Sequence, residues 1–381
     1  MNRLYFDHAA TTPLNKEVLN KMLPYFTEIY GNPDSPHGIG RSAMNAVDSA
    51  RDKIAELIHA KPSEVYFTSG GTEADNWALI VGAYAQKAQG KTHVVISSIE
   101  HHAVLETANQ LERAGFLVTR LPVNGEGRVE ITALQAALKK ETGLVAIMAV
   151  NNETGVVQPI KEAAKLAHEN GSLFFTDAVQ AAPYMPIDVK EWGVDMLSFS
   201  SHKFYGPKGA GVLYIRSGIK TERLIVGGEQ ERGLRGGTTN VPTMVGLATA
   251  YKKNVGGMSA ANEKIERLKN LFLKEISTLD GVYQNGDGEC IPSVLNLRFE
   301  GVENADFLYN MDLKGICVAA GSACASASIK PSHVLTAMGL TEAEAKSSVR
   351  FSFGKDNTEE EVMILAEATK EVVGRLRKFK K

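Results

Sequence analysis

Short apolar runs alternate with helix-like patterns along the chain up to about residue 257. The runs are rich in β-branched and aromatic residues and end at glycine or polar turns, as buried strands do. They cover residues 65–68, 93–97, 144–150, 173–176, 196–200 and 211–215. Because strands separated by helices require crossover connections, this order predicts an α/β fold with a mainly parallel central sheet and helices on both of its faces.

Two helix-like patterns illustrate the alternation. Ile160, Ala163, Ala164 and Ala167 recur at the spacing of one helix face, and Gly171 follows where a C-terminal cap is expected. A second pattern covers residues 74–85, directly after a glycine-containing turn. Each of the two patterns therefore predicts a helix that follows a strand.

The pattern changes after Val255-Gly256-Gly257, which we interpret as a break in the chain's regular structure. A helix with apolar residues on one face then covers 265–276, and the next strand candidates are residues 294–299 and 316–319. We therefore expect a large domain over residues 16–257. A smaller α+β domain should combine residues 1–15 with 258–381.

A closing helix is predicted from about Glu359. Thr358 and Glu361 form a capping box at its start, and an apolar stripe follows. Its basic end, residues 375–381, is interpreted as a solvated terminus that complements the helix dipole, with a docking tail as the alternative.

Composition narrows the class of protein. The 381 residues carry 42 basic and 44 acidic side chains, and 44% of them are hydrophobic. A net charge of −2 gives no electrostatic reason to bind nucleic acid or an anionic membrane. No apolar run approaches the ~18 residues of a membrane span, and the polar first eight residues do not resemble a signal peptide. We therefore expect a cytoplasmic protein.

The three cysteines, Cys290, Cys317 and Cys324, are odd in number and show no Cys-x-x-Cys spacing. This disfavours a disulfide framework and a structural zinc site, so free thiols are expected.

Three sequence elements carry candidate chemistry, and each has a plainer alternative. The turn Ser69-Gly70-Gly71-Thr72 precedes a helix and lets backbone amides approach a phosphate, although such turns also simply connect a strand to a helix. Asp177 follows a strand, where α/β sheets bind ligands, or it caps a helix. Lys203 follows a strand and precedes a Gly-Pro turn, which favours a Schiff-base lysine over an ordinary surface lysine.

Together the three elements match what pyridoxal phosphate needs. This cofactor requires a phosphate cradle, a carboxylate beside its pyridine nitrogen and a lysine that forms an imine. The carboxylate keeps the ring nitrogen protonated, so the ring can accept electrons from the substrate α-carbon. The order along the chain agrees, with the phosphate turn first, then Asp177 and then Lys203.

A wider set of motifs occurs in a recognisable order. The motifs are residues 5–13, 30–33, 68–76, 100–104, Asn151-Asn152-Glu153-Thr154-Gly155, 177–180, 200–209, 235–238, Gly321-Ser322-Ala323-Cys324 and 350–352. With these motifs, essentially the whole chain resembles the cysteine desulfurases of the NifS and IscS type. That family belongs to the aspartate-aminotransferase-like pyridoxal-phosphate enzymes, so the resemblance implies fold type I.

The resemblance implies roles for the residues that surround the cofactor ring. Lys203 forms the imine, Asp177 pairs with the pyridine nitrogen, and Gln180 bonds the phenolic oxygen. His101 stacks on the ring and shuttles protons. Asn152 lies beside the cofactor and the substrate.

The resemblance also implies how the cofactor phosphate and the substrate carboxylate are bound. The phosphate is held by Gly71, Thr72, Ser200 and His202, and Thr238 reaches in from the other subunit of a homodimer. Arg350 takes the substrate carboxylate.

The adjacent histidines His101 and His102 raise the alternative of a metal site. Neighbouring side chains on a strand point to opposite faces, and no helical His-x-x-x-His accompanies them. We therefore expect no metal, and we expect His102 to be structural or exposed.

Cys324 lies in a stretch of alanine, glycine and serine that covers residues 319–328. Because these residues have little apolar area to bury, the stretch is interpreted as a mobile loop, about 319–330, that presents a thiol. The alternative is a close-packed helix or turn. Cys317 lies in an apolar run and is expected to be buried, and Cys290 is assigned no role.

The implied reaction removes sulfur from L-cysteine and leaves L-alanine and a persulfide on Cys324. The context of Cys324 resembles the longer-loop group of desulfurases. A selenocysteine lyase or an aminotransferase would share Lys203 and Asp177 but would not need Cys324, and a sulfur-carrying scaffold would need only Cys324. The expected acceptor is a protein, such as an iron–sulfur scaffold or a tRNA-thiolation enzyme.

Overall fold

The computed structural model describes residues 3–321 and 331–379. Its strands are β1 (Leu4–Tyr5), β2 (Val65–Thr68), β3 (His93–Ser97), β4 (Leu117–Leu121), β5 (Thr142–Ala146), β6 (Leu173–Asp177), β7 (Met196–Ser200), β8 (Gly211–Ile215), β9 (Val282–Asn285), β10 (Val294–Phe299), β11 (Ile316–Cys317) and β12 (Ser348–Ser352). Its helices are α1 (Lys16–Met22), α2 (Pro24–Thr27), α3 (Gly38–Leu57), α4 (Gly71–Lys87), α5 (His102–Arg113), α6 (Ile131–Ala137), α7 (Ile160–Glu169), α8 (Val189–Trp192), α9 (Val241–Ile276), α10 (Asn304–Leu313), α11 (His333–Ala337), α12 (Glu342–Ala345) and α13 (Glu359–Phe379). Among the short 3₁₀ turns, Ser201–Lys203 directly follows β7.

The central sheet has seven strands in the order β2-β8-β7-β6-β5-β3-β4. All neighbouring pairs are parallel except the two that involve β8, which runs antiparallel to both β2 and β7. The predicted α/β class with a mainly parallel central sheet is therefore confirmed.

Alternate residues of the buried strands pack on the two faces of this sheet. On one face, Phe174 and Leu197 join a core that includes residues of α3, α7 and the first half of α9. On the other face, Phe175 and Met196 pack against α4 and α5. Burial on both faces explains why these strands are continuous apolar runs in the sequence.

A separate hydrophobic core is formed near the C-terminus. It contains the second half of α9, the antiparallel sheet β12-β10-β9, and helices α10 and α13. Among the described residues of the N-terminal region, Phe6 alone is a buried member of this core. Strand β1 also pairs in parallel with β11.

Two local predictions differ from the structure. Gly256 and Gly257 do not interrupt the chain, because they lie within the 36-residue helix α9. The helix tolerates them because one half of it is anchored in the core around the central sheet and the other half in the C-terminal core. The run 144–150 forms a strand only as far as Ala146, after which Met148 and Ala149 are buried in the loop that leads to Asn151.

The capping box at α13 is confirmed, since the Thr358 amide donates to the Glu361 carboxylate and the Glu361 amide donates to Thr358 Oγ1, both at 3.2 Å. Within the described part of the chain, no helix combines the length and the apolar character that crossing a membrane requires.

Candidate active site

Several of the predicted site residues lie at one edge of the central sheet. Because β2 and β7 are both antiparallel to β8, β2 ends at the same edge as the parallel strands β3, β5, β6 and β7. Asp177 is the last residue of β6, and the residues that follow the ends of β2, β3, β5 and β7 include Gly71, His101, Asn152 and Lys203. This edge is where open α/β sheets bind their ligands.

Asp177 and Lys203 provide the opposite charges of the site. Asp177 is 5% exposed and accepts a hydrogen bond from the Val179 amide at 2.8 Å through Oδ1. Burial raises the pKa of Asp177 to about 6, against the opposing effects of the Val179 amide and of the Lys203 charge. Lys203 Nζ donates to the carbonyl oxygens of Ala9 at 2.6 Å and Ala10 at 3.0 Å.

The start of α4 forms a tight cradle beside β7. A Cβ atom on Gly71 would lie 2.9 Å from Val179 Cγ2 and 3.7 Å from Ser200 Cβ, so only glycine fits without a shift. Gly70, with φ +155°, turns the chain into the helix. Amide groups in the first turn of a helix lack intrahelical acceptors and bind anions. Ser200 is buried beside this turn, and Thr72 is exposed on it.

His101 is held in one orientation as the N-cap of α5. Its Nδ1 accepts a hydrogen bond from the Ala103 amide at 3.1 Å, so the proton of the neutral ring resides on Nε2. Burial, assisted by the Lys203 charge, lowers the pKa of His101 to about 4. His101 therefore offers a neutral N–H donor at neutral pH.

His202 is also kept neutral. Burial and the Lys203 charge lower the pKa of His202 to about 4, and its Nδ1 lies 3.1 Å from Thr11 Oγ1. His102 packs against His333 with ring centroids 4.9 Å apart. In the described ranges, no cluster of three or more His, Cys, Asp or Glu is arranged to hold a metal.

The N-terminal segment forms a wall of the site, which the sequence reasoning did not anticipate. Besides binding Lys203, the Ala9 carbonyl accepts a hydrogen bond from Gln180 Nε2 at 2.9 Å. Thr12 Oγ1 donates to the His202 carbonyl and accepts from the Tyr205 amide, each at 2.8 Å. Backbone carbonyls carry no side-chain signal, so only the assembled fold identifies this contribution.

Arg350 lies on β12 at the border of the site and is 1% exposed. Its Nη2 donates to Asp7 Oδ1 at 2.8 Å and its Nη1 donates to the Asn152 carbonyl at 2.9 Å. Its Nε is buried and has no partner within the residues that the structure describes. Sequence reasoning missed Asp7 as the partner of Arg350, although Asp7 belongs to one of the quoted motifs.

Two further predicted residues are Thr238 and Cys324. Thr238 is exposed. Cys324 lies outside the described residues. Cys317, expected to be buried, is only partly buried, because β11 pairs on one side with β1 and lies beside Arg3. Cys290 is partly buried too, and burial raises the pKa of its thiol.

The donor set fits pyridoxal phosphate. The glycine cradle and helix start suit its phosphate, the buried Asp177 suits a protonated ring nitrogen, and the Lys203 amine suits its aldehyde. His101 lies close enough for the Lys203 charge to influence its pKa.

Comparison with known proteins places the chain in a family. Residues 4–365 match the family model described as aminotransferase class-V. The chain is 44% identical over 384 residues to cysteine desulfurase IscS of Clostridium botulinum, covering 100% of this chain and 96% of that protein. A solved structure titled NifS-like protein superposes with a TM-score of 0.91 at 37% identity, covering 98% of this chain and 99% of the other.

A further solved structure, titled SspA in complex with cysteine, has a TM-score of 0.82 at 37% identity and covers 93% of this chain and 100% of its own. These identities extend over at least 93% of this chain. The chain therefore belongs to the class-V aminotransferase family and, within it, to the pyridoxal-phosphate-dependent cysteine desulfurases.

Proposed function

We propose that this chain takes the sulfur of L-cysteine, releases L-alanine and transfers the sulfur through a persulfide on Cys324 to an acceptor protein. The observation that carries the proposal is the convergence of Lys203, Asp177 and His101 at one sheet edge beside the glycine cradle of α4. The solved relative with bound cysteine supports the choice of substrate.

Pyridoxal phosphate, when bound, supplies a ring that withdraws electrons from the substrate α-carbon. Lys203 would hold its aldehyde, and Asp177 would hold its ring nitrogen in the protonated form. The amides of Gly71 and Thr72, with Ser200 and His202, would hold its phosphate. The Gln180 amide, fixed by the Ala9 carbonyl, would bond its phenolic oxygen.

Lys203 is also the group that moves a proton at the substrate α-carbon. Its amine is held by the Ala9 and Ala10 carbonyls, so it stays at the site edge when it is not covalently engaged. His101 presents its Nε2 proton to the site because its Nδ1 is occupied by the Ala103 amide. Because the ring is neutral, His101 can donate a hydrogen bond to the substrate without adding a fixed positive charge.

Arg350 orients the substrate by binding the carboxylate of the substrate. Its guanidinium is already fixed by Asp7 and by the Asn152 carbonyl, while its Nε donor has no partner in the described part of the chain. A carboxylate that reached this donor would gain a charge-assisted hydrogen bond.

The sulfur transfer is balanced without a further reactant. The Cys324 thiolate attacks the sulfur of the substrate, the Cβ–S bond breaks and an S–S bond forms. The β-carbon takes the electron pair and a proton and becomes the methyl group of alanine. The sulfur is oxidised and the carbon is reduced, so one cysteine and one thiol give one alanine and one persulfide.

The experiment that tests this function measures the products of L-cysteine. One alanine for each acceptor-bound sulfur is expected. A keto acid without alanine would instead indicate an aminotransferase, and sulfur binding without alanine would indicate a carrier. Activity confined to selenocysteine would indicate a selenocysteine lyase.

The active form is proposed to be a homodimer in which Thr238 completes the phosphate site of the partner. Thr238 is exposed and lies close in sequence to Arg235, whose ion pair with Glu73 connects this loop to the first turn of α4. Exposed apolar side chains on α1 and α2 and at Val226, which is 82% exposed, offer surface for a second copy.

The domain division proposed is 16–257 for the large domain and 1–15 with 258–381 for the small one. The separate cores support it, with the boundary inside α9. The sulfur acceptor is proposed to be an iron–sulfur scaffold or a tRNA-thiolation enzyme. A cytoplasmic location is proposed because persulfide chemistry needs a thiol that stays reduced.

A further inference from the structure

Three carboxylic side chains lie together beneath the candidate active site. Asp177 ends β6, Asp75 belongs to α4, and Glu100 immediately precedes His101. Asp75 and Glu100 are each 1% exposed, and Asp177 is 5% exposed. The proposed reaction uses only Asp177, so the two other acids require an explanation.

Asp75 approaches Asp177 through Ser198. Its Oδ1 lies 2.5 Å from Ser198 Oγ, and Ser198 is the residue of β7 that pairs with Asp177 in the sheet. Paired residues of adjacent strands point to the same face, so Asp75 and Asp177 occupy the same side of the sheet. A hydroxyl group accepts as well as donates, so Ser198 Oγ can accept a hydrogen bond from the O–H of a neutral Asp75 carboxyl.

Glu100 is held by polar groups that carry no charge. Its Oε1 lies 2.5 Å from Ser97 Oγ and accepts a hydrogen bond from the Met148 amide at 2.7 Å. Its Oε2 is buried and has no hydrogen-bond partner among the described residues. An ionised carboxylate with one unpartnered buried oxygen would be costly.

The charges around the cluster are unequal. Lys203 acts on Asp177 as a nearby cation, whereas the charged neighbours that act on Asp75 are Asp177 and Glu100. Asp177 is also the charged neighbour of Glu100. The remaining titratable side chains on the adjoining elements are His101 and His102 at the start of α5 and His333 at the start of α11, whose Nε2 lies 3.0 Å from the Glu100 carbonyl.

We propose that Asp75 and Glu100 are kept as neutral carboxylic acids and act as positioning residues, which leaves Asp177 as the single ionised carboxylate of the cluster. Three ionised carboxylates beside one lysine would repel one another in a medium of low dielectric constant. Protonation of Asp75 and Glu100, which have no neighbouring cation among the described groups that act on them, removes that repulsion. Asp177 then directs its charge to the ring nitrogen of the cofactor, a consequence that rests on the proposed function.

The protonation equilibria agree with this geometry. Burial, reinforced by the Asp177 charge, raises the pKa of Glu100 to about 8 and raises the pKa of Asp75 well above its ordinary value. Asp177, with a pKa raised only to about 6, is mostly ionised at neutral pH.

Infrared difference spectroscopy of the holoenzyme tests the proposal directly. Neutral carboxylic acids absorb at the carbonyl-stretching frequency of the acid, apart from the amide and carboxylate bands. Asp75→Asn and Glu100→Gln should each remove one such acid band at neutral pH. Raising the pH through about 8 should remove the Glu100 band.

Two further variants cover the case in which those proteins do not fold. Ser198→Ala and Ser97→Ala remove the hydroxyl partners, so they should shift the acid bands of Asp75 and Glu100 without abolishing them. Each assignment is overturned if its variants leave the acid region unchanged, or if the carboxylate bands lose intensity instead. The infrared measurement requires no turnover, so it is independent of the alanine assay. The acid bands can be missing from an enzyme that produces alanine from cysteine, and they can be present in one that does not.

Discussion

At the scale of single residues, burial determines which side chains are charged. It raises the pKa of Asp177 to about 6 and lowers the pKa of His101 and His202 to about 4. The sequence identified these three residues as candidates from their positions after strands or from the family resemblance. It could not predict their protonation, because desolvation depends on packing by distant segments such as residues 9–12.

Lys203→Ala should abolish the imine absorbance and should lower turnover by at least about a thousandfold. The reason is that the amine both anchors the cofactor and moves a proton. Borohydride reduction followed by peptide mapping checks the assignment. Lys208→Ala is the matched control, since Lys208 is exposed in the following turn and should leave labelling intact. A pyridoxyl label on another lysine of the wild type would refute the assignment.

His101 should remain a neutral Nε2–H ring from pH 8 down to about 5, because its pKa lies near 4. Nitrogen-15 spectra of histidine-labelled protein, assigned with His101→Gln, measure this directly. The pKa of His101 in the folded protein is below the ordinary value of about 6.5. The contribution of the buried neutral ring to the free energy of unfolding is therefore complete above pH 6.5 and is lost as the pH falls towards 4. A ring that protonates near pH 6.5 would contradict the structure.

At the scale of secondary-structure elements, prediction succeeded where burial on both faces gives a continuous apolar run. The strands predicted at residues 65–68, 93–97, 196–200 and 211–215 match β2, β3, β7 and β8. Strand β4 was missed because it lies at the edge of the sheet and only Leu121 of its five residues is buried. The Gly256-Gly257 pair was misread because helix propensity is local, whereas α9 is held by two cores.

Gly71→Ala should weaken binding of pyridoxal phosphate to the cofactor-free enzyme by roughly 5- to 160-fold, since overpacking costs about 1–3 kcal/mol. The added Cβ would lie 2.9 Å from Val179 Cγ2, so adding Val179→Ala to Gly71→Ala should recover much of the affinity. Gly256→Ala is the control, because its Cβ would meet no atom within 4 Å. Absorbance titration gives the dissociation constants, and equal affinity of Gly71→Ala and wild type would disprove the cradle.

At the scale of the whole molecule, the site depends on contacts between segments far apart in sequence. Ala9 binds Lys203, and Asp7 binds Arg350. Local patterns contain no information about such pairings, so only the family resemblance placed Arg350 and Lys203 in one site. The separate core that Phe6 shares with residues 265–373 accounts for how the N-terminal segment is held in place.

Mixing two variants with impaired cofactor sites tests the shared site of the proposed dimer. Thr238→Ala should weaken cofactor binding about 10- to 100-fold through the loss of a hydrogen bond to the phosphate. In a dimer of one Lys203→Ala chain and one Thr238→Ala chain, one site should contain both native residues and should bind with wild-type affinity. Equilibrium titration of tagged mixed dimers measures this, and failure to restore any tight site would show that Thr238 does not act across subunits.

Single-turnover mass spectrometry with L-cysteine tests the central claim most directly. The holoenzyme should gain one sulfur atom on the peptide that contains Cys324, together with one alanine per site. Cys324→Ala should retain the cofactor and still show spectral changes with cysteine. The rate of sulfur transfer should fall by several orders of magnitude, which corresponds to an increase of about 4 kcal/mol or more in the activation free energy. Cys290→Ala and Cys317→Ala should match the wild type. Sulfur on Cys290 or Cys317, or wild-type desulfuration by Cys324→Ala, would contradict the account.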